Sequence, residues 1–128
     1  MLRLTDLHDP ASMTDSLRDL AQQLDRFANA RDWQQFHSPK NLASALIVEA
    51  GELLEHFQWL TEEQSRSLAP DTLEAVGAEI ADVLLYLVQL ANALGIDPVK
   101  AAEAKLAVNE ARYPVELARG SSKKHDRL

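Results

Sequence analysis

Two pairs of carboxylates, Glu49 with Glu52 and Glu79 with Asp82, are each spaced three residues apart inside two of the most apolar stretches of the chain. On a helix, residues three apart share a face, so each pair presents its oxygens in one direction. Four ionised carboxylates brought together away from water repel one another and lose hydration, and an opposing charge is then required. A hard divalent cation, Mg²⁺ or Mn²⁺, matches carboxylate and water oxygens, and such a cation commonly holds a phosphate group. The competing reading of either pair alone is a solvated helix face, where charges cost little. Two pairs, both beside long apolar stripes, favour the metal site.

Other residues are weighed in the same way. His56 falls in the seam of the first acid pair and reads as a hydrogen-bonded helical histidine rather than a ligand. Trp33, Phe36 and Trp59 lie near chain breaks, where exposed ring faces can stack on a base, whereas Phe27 and Phe57 read as core. Lys105, Asn109 and Arg112 fall on one face of the last long helix, where a solvated stripe competes with a role in binding anions.

The elements that position these residues are helices throughout, with no period-two pattern. Residues 1–13 read as a loosely ordered arm. Thr14 or Asp15 is expected to cap a first helix running to about Arg31, with Leu17, Leu20, Ala21, Leu24, Phe27 and Ala28 on its buried stripe. After an aromatic and polar connector, Ser38-Pro39 reads as N-cap and first position of a second helix reaching about Leu60. Its broad apolar face holds Leu42, Leu46, Ala50, Leu53, Leu54 and Phe57, and Glu49, Glu52 and His56 border that face.

Thr61 with Gln64, and Asp71 with Glu74, form two capping-box patterns, the second opening a long helix that Gly95 stops. That helix is apolar almost all round, with Leu73, Val76, Ile80, Val83, Leu84, Leu87, Val88 and Leu94 on one wide face, and Ala75, Glu79, Asp82, Tyr86 and Ala93 on another. Four helices cannot easily wrap it within one subunit, so a second copy of the chain is expected over the remainder. Asp97-Pro98 opens a fourth long helix that ends at Tyr113, before Pro114. Residues 120–128 read as a mobile tail, which leaves residues 14–119 as one all-α domain.

The 128 residues suffice for one core, and 46% of them are hydrophobic. A net charge of −7 argues against a nucleic-acid polymer as the main partner, because that binding rests on a basic surface. Small polyphosphates stay compatible if basic side chains are local. Without cysteine there are no disulfides or thiolate metal sites, which fits a reducing cytoplasm. With no charged-then-apolar leader and no apolar run of about 18 residues, the expectation is a soluble cytoplasmic protein with no membrane partner.

The blocks Glu49-Ala-Gly-Glu52 and Glu79-Ile-Ala-Asp82 resemble the ExxE and ExxD motifs of the all-α nucleoside triphosphate pyrophosphohydrolases, the MazG-like superfamily. The run from Arg31 to Asn41, Phe57-Gln-Trp59, the stretch from Asp82 to Leu87, and the block from Lys105 through Asn109 to Pro114 look like its dCTP pyrophosphatase branch. The resemblance covers roughly residues 15–125. It implies a four-helix-bundle-type fold assembled as a tetramer, a dimer of dimers, with pockets between subunits. By position it implies that Glu49, Glu52, Glu79 and Asp82 hold Mg²⁺, with Mn²⁺ as a substitute. It further implies that Lys105 and Asn109 reach the phosphates, with Arg112 a further candidate, and that Trp33, His37, Trp59 and Tyr86 line the nucleotide pocket.

The implied reaction is hydrolysis of dCTP or a 5-modified dCTP to the monophosphate and pyrophosphate, with Glu49 or Glu52 also available to take a proton from the attacking water. A dUTPase-like or broader pyrophosphohydrolase of the same superfamily is the alternative. A di-iron carboxylate bundle expects Glu-x-x-His pairs, and no histidine here has a Glu three residues before it. A non-catalytic helical interaction protein would require the acids to be surface decoration, which a metal-binding titration distinguishes.

Overall fold

The structure, a computed structural model, describes the backbone of residues 10–128 and the side chains of residues 16–128. Among these residues there is no strand; the chain folds into four long helices, α1 (Pro10–Ala30), α2 (Pro39–Glu55), α4 (Pro70–Leu94) and α5 (Pro98–Arg112), and two short ones, α3 (Glu62–Ser65) and α6 (Val115–Ala118). Single 3-10 turns occur at Gln34–Phe36 and His125–Arg127. The expected arm lies outside the described residues up to residue 9, and from Pro10 onward it is helix. Thr14 and Asp15 therefore sit inside α1 instead of capping it.

The remaining boundaries follow local chemistry. Ser38 caps α2 with its hydroxyl accepting from the Asn41 N–H, with Pro39 behind it. The box at the start of α3 is closed on both sides by Thr61 and Gln64. The second expected box is not formed: α4 starts at Pro70 after Ala69, which gives no side-chain cap, and Asp71 lies in the first turn, where its charge meets the helix dipole. Gly95 ends α4 at φ 67°, a left-handed conformation that favours glycine. Asp97 caps α5 through the N–H groups of Val99 and Lys100. The second helix stops at Glu55, five residues short of the expected Leu60, and the chain continues through hydrogen-bonded turns to Leu60.

Two compact units divide the chain after Gly95. In the first unit α4 packs along α2 and, less extensively, against α1. The core is formed by Ala28, Leu42, Val76, Val88 and Ala91. On α1, Leu17, Leu20, Ala21 and Leu24 are half-buried along the expected stripe. Much of the wide apolar face of α4 stays open in the single chain, with Leu73 60%, Ile80 53%, Leu84 37% and Leu87 44% exposed. In the second unit, α5 runs to Tyr113, whose ring meets His125 edge-on at 5.8 Å. Gly120 is left-handed at φ 74°, and a 3-10 turn follows at His125–Arg127. No single helix is long and apolar enough to cross a membrane.

Leu42 is 2% exposed and anchors α2. Replacing it with alanine removes buried methyl groups and leaves a void, so Leu42→Ala is expected to lower the unfolding free energy by about 2–5 kcal/mol. Urea unfolding followed by circular dichroism measures this; a loss below about 1 kcal/mol would contradict the anchoring role.

Candidate functional site

Packing of α2 along α4 brings the two acid pairs together. A carboxylate oxygen from each of Glu49, Glu79 and Asp82 lies within 4.8 Å of the others. Glu52 completes the group from α2, one turn beyond Glu49, and its charge is felt by both Glu49 and Glu79. The Glu49 carboxyl is pushed up to about 6, first by a hydrogen bond with Glu52, then by desolvation and by the charges of Glu52, Asp82 and Glu79. Glu79 is also raised, chiefly by desolvation and by repulsion from Glu52 and Asp82. His56 opposes that shift, with Nε2 4.0 Å from Glu79 Oε1. The histidine read as structural therefore sits at the edge of the acid group.

The donor set fits a hard cation. Glu49 Oε2 and Glu79 Oε2 are both shielded from water with no hydrogen-bond partner, and an unpaired buried acceptor is destabilising, more so if charged. All the converging atoms are carboxylate oxygens, the ligands that Mg²⁺ and Mn²⁺ take.

Asp82 also lines a cavity of about 370 Å³ between α1 and α4. Its wall includes Phe27, Trp33, His37, Tyr86 and Gln89. The aromatic wall is set by the end of α1. Asp32 adopts φ 52°, a conformation in which aspartate is enriched. The Asp32 N–H donates to the Asn29 carbonyl at 3.2 Å and the Trp33 N–H donates to the Ala28 carbonyl at 3.0 Å. These are the two bonds of a Schellman motif, which turns the chain so that Trp33 folds back over the helix. Phe27 meets Trp33 edge-on at 5.5 Å, His37 meets it at 6.2 Å, and the Arg31 guanidinium lies 3.6 Å from the Phe27 ring centre. Asn41 Nδ2 donates to the Phe36 carbonyl at 2.9 Å and ties this connector to α2.

Of the residues singled out in the sequence, the structure thus groups Glu49, Glu79 and Asp82, with Glu52 beside them, and places Trp33, His37 and Tyr86 around one cavity. Trp59 is in the turn after α2, 86% exposed, and does not line that cavity. Lys105, Asn109 and Arg112 are on α5 in the second unit. Phe27 and Gln89 are among the cavity residues that were not anticipated. Phe27, read as core, is part of the aromatic wall, and Gln89 reaches the cavity with its Oε1 buried and unpaired. Helix spacing carried the signal for Gln89, which lies seven residues after Asp82 and three after Tyr86 on the same face.

The raised carboxyls make stability depend on pH. Because Glu49 binds its proton more tightly in the folded state than at its ordinary value of 4.5, its contribution is full below about pH 4.5 and is lost as pH rises through about 6. Glu79 acts in the same direction. In EDTA, the melting temperature of the wild type relative to Glu49→Gln is expected to fall between pH 4.5 and 7. Added Mn²⁺ is expected to raise the wild-type melting temperature more at pH 7 than at pH 5, because ionised carboxylates are the ligands. Thermal melts across this range check both; a pH-independent difference between wild type and variant would contradict the coupling.

The sequence profile of the MazG-like family matches residues 45–128, a span that includes both acid pairs. The chain is 43% identical to human (Homo sapiens) dCTP pyrophosphatase 1 over 115 residues, covering 88% of this chain and 68% of that protein. It is 44% identical to the mouse (Mus musculus) dCTP pyrophosphatase 1 with the same coverage. A pyrophosphatase from Archaeoglobus fulgidus with a crystal structure superimposes with a TM-score of 0.69 at 38% identity, covering 77% of this chain and 93% of that one. The paired acids on α2 and α4, the all-helical fold and these likenesses agree, and the chain belongs to the MazG-like family.

Proposed function

We propose that this protein is a nucleoside triphosphate pyrophosphohydrolase that converts dCTP, or a 5-substituted dCTP, and water to the monophosphate and pyrophosphate, with Mg²⁺ or Mn²⁺ as cofactor. The observation that carries this reading is the position of Asp82, which belongs both to the acid group and to the wall of the aromatic cavity. One end of that space suits a cation and phosphates, and the other suits a base. The likeness to the human and mouse dCTP pyrophosphatases supports the substrate class.

Glu49, Glu52, Glu79 and Asp82 would hold the divalent cation, which supplies positive charge against the triphosphate and acidifies water. Glu49 or Glu52 accepts the proton of the attacking water. Water adds across the phosphoanhydride between the α and β positions, its oxygen joining phosphorus as the bridging bond breaks, and pyrophosphate leaves. Trp33 and Tyr86 offer ring faces to the base and His37 borders them, closing water out of that end. Trp59 is assigned to stacking on its exposure, and Lys105, Asn109 and Arg112 to the phosphates on their shared face of α5.

The open stripe of Leu73, Ile80, Leu84 and Leu87 supports assembly as a homo-oligomer, a tetramer built as a dimer of dimers. Light scattering at micromolar concentration is expected to give a multiple of the 14.2 kDa chain mass; a monomer mass would count against it.

The activity is tested by a screen of common and 5-modified nucleoside triphosphates with Mg²⁺ and detection of pyrophosphate, in which cytosine deoxynucleotides are expected to rank first. Glu52→Gln and Asp82→Asn are each expected to abolish turnover while the helical circular dichroism survives, since removing one charge relieves repulsion. Undiminished turnover in both variants would overturn the metal-site assignment.

A further inference from the structure

His56 stands beside the closest carboxylates, Glu49, Glu79 and Asp82, without being one of that group. Its Nε2 lies 4.0 Å from Glu79 Oε1, beyond the roughly 3.2 Å reach of a good N–H to oxygen hydrogen bond. The distance has another meaning at a metal site. Two atoms that each bind one small divalent cation at about 2.1 Å, the usual length for carboxylate oxygen or imidazole nitrogen, are about 3 Å apart in adjacent octahedral positions and about 4.2 Å apart in opposite ones. The gap between His56 and Glu79 falls between these limits.

The chain holds the ring at that place. His56 follows Glu52 by four residues and Glu49 by seven, which puts all three on one face of α2. As the C-cap of α2 it keeps helical backbone angles, φ −72° and ψ −17°, and its N–H donates to the Leu53 and Leu54 carbonyls. The His56 side chain is 29% exposed and that of Glu79 21%, so an ion arriving from solvent can reach between them. Glu79 thus has one oxygen shielded without a hydrogen-bond partner and the other facing a nitrogen too distant to bond directly.

Resting on the metal-site reading above, we propose that His56 Nε2 is a ligand of the divalent cation alongside Glu79, giving the site one nitrogen among its carboxylate oxygens. A neutral imidazole adds a donor atom without adding to the repulsion among the four acids. It also changes which ion the site prefers. Carboxylate oxygens suit Mg²⁺ and Mn²⁺, whereas an imidazole nitrogen favours transition ions later in the first row, Co²⁺ among them. A ring that acted only as a neighbouring charge or by packing would alter the affinity for every divalent ion by the same factor, because all carry the same charge.

Wild type, His56→Gln and His56→Phe are compared by two measurements that do not depend on turnover. Electron spin echo modulation of bound Mn²⁺ detects nitrogen nuclei coupled to the ion; wild type is expected to show them and both variants to lack them. Calorimetric titrations with Co²⁺ and with Mg²⁺ give the second readout. Loss of a group that supports a metal site costs about 10- to 100-fold in affinity, and both variants are expected to lose Co²⁺ affinity in that range while Mg²⁺ affinity changes little, so that the Co²⁺ to Mg²⁺ ratio falls. His56→Phe keeps a ring of similar size, which separates the nitrogen from the packing.

Mn²⁺ bound to wild type with no coupled nitrogen, or a Co²⁺ to Mg²⁺ ratio unchanged in both variants, would overturn the ligand role of His56 and leave the carboxylate site standing. A wild type that binds no divalent ion would overturn that site as well.

Discussion

Mutual repulsion among Glu49, Glu52, Glu79 and Asp82 is the constraint on which the rest of this protein is built. Carboxylates separate when their supports allow it, so holding them together requires two helices that cannot yield. The sequence provides them by lining α2 and α4 with apolar residues that meet beside the acids, and by burying Leu42, Val76, Val88 and Ala91. Apolar burial contributes roughly 25 cal/mol per Å² and has no preferred direction. It can therefore be placed next to a charged seam without competing for the same atoms. The residual strain appears in the raised carboxyls of Glu49 and Glu79 and in their unpaired oxygens, which a divalent cation is suited to relieve.

Rigid helices place the acids, but turns place the aromatic wall. Trp33 owes its position to the left-handed Asp32 and the two Schellman hydrogen bonds that end α1, and His37 to the short connector fastened by Asn41 and the Ser38 cap. The division matches the chemistry proposed for each end. Charge compensation tolerates little displacement and is carried on α2 and α4. Stacking tolerates more, because a ring face is broad. Asp82 and Tyr86 lie along one face of a single helix, so the spacing between the acid group and the aromatic wall is set by helical rise, not by loop conformation.

Sequence alone determined the helical content, most of the helix ends and the pairing of acids on one face of each helix. Each depends on local rules: apolar periodicity, a cap residue before a proline, or the fact that residues three apart share a face. Where two local signals competed, the outcome was less legible. The Asp71 and Glu74 box was outrun by Pro70, and α1 runs through the polar Thr14 and Asp15 instead of being capped by them. Which acids come within ligand distance, the role of Phe27 as cavity wall, the exposure of Trp59 and the orphaned oxygen of Gln89 were decided only in tertiary structure. The physical reason is that burial and hydrogen-bond satisfaction belong to the whole packed arrangement. A glutamine at position 89 is an ordinary helical residue until the packed chain covers its carboxamide oxygen and leaves it without a partner.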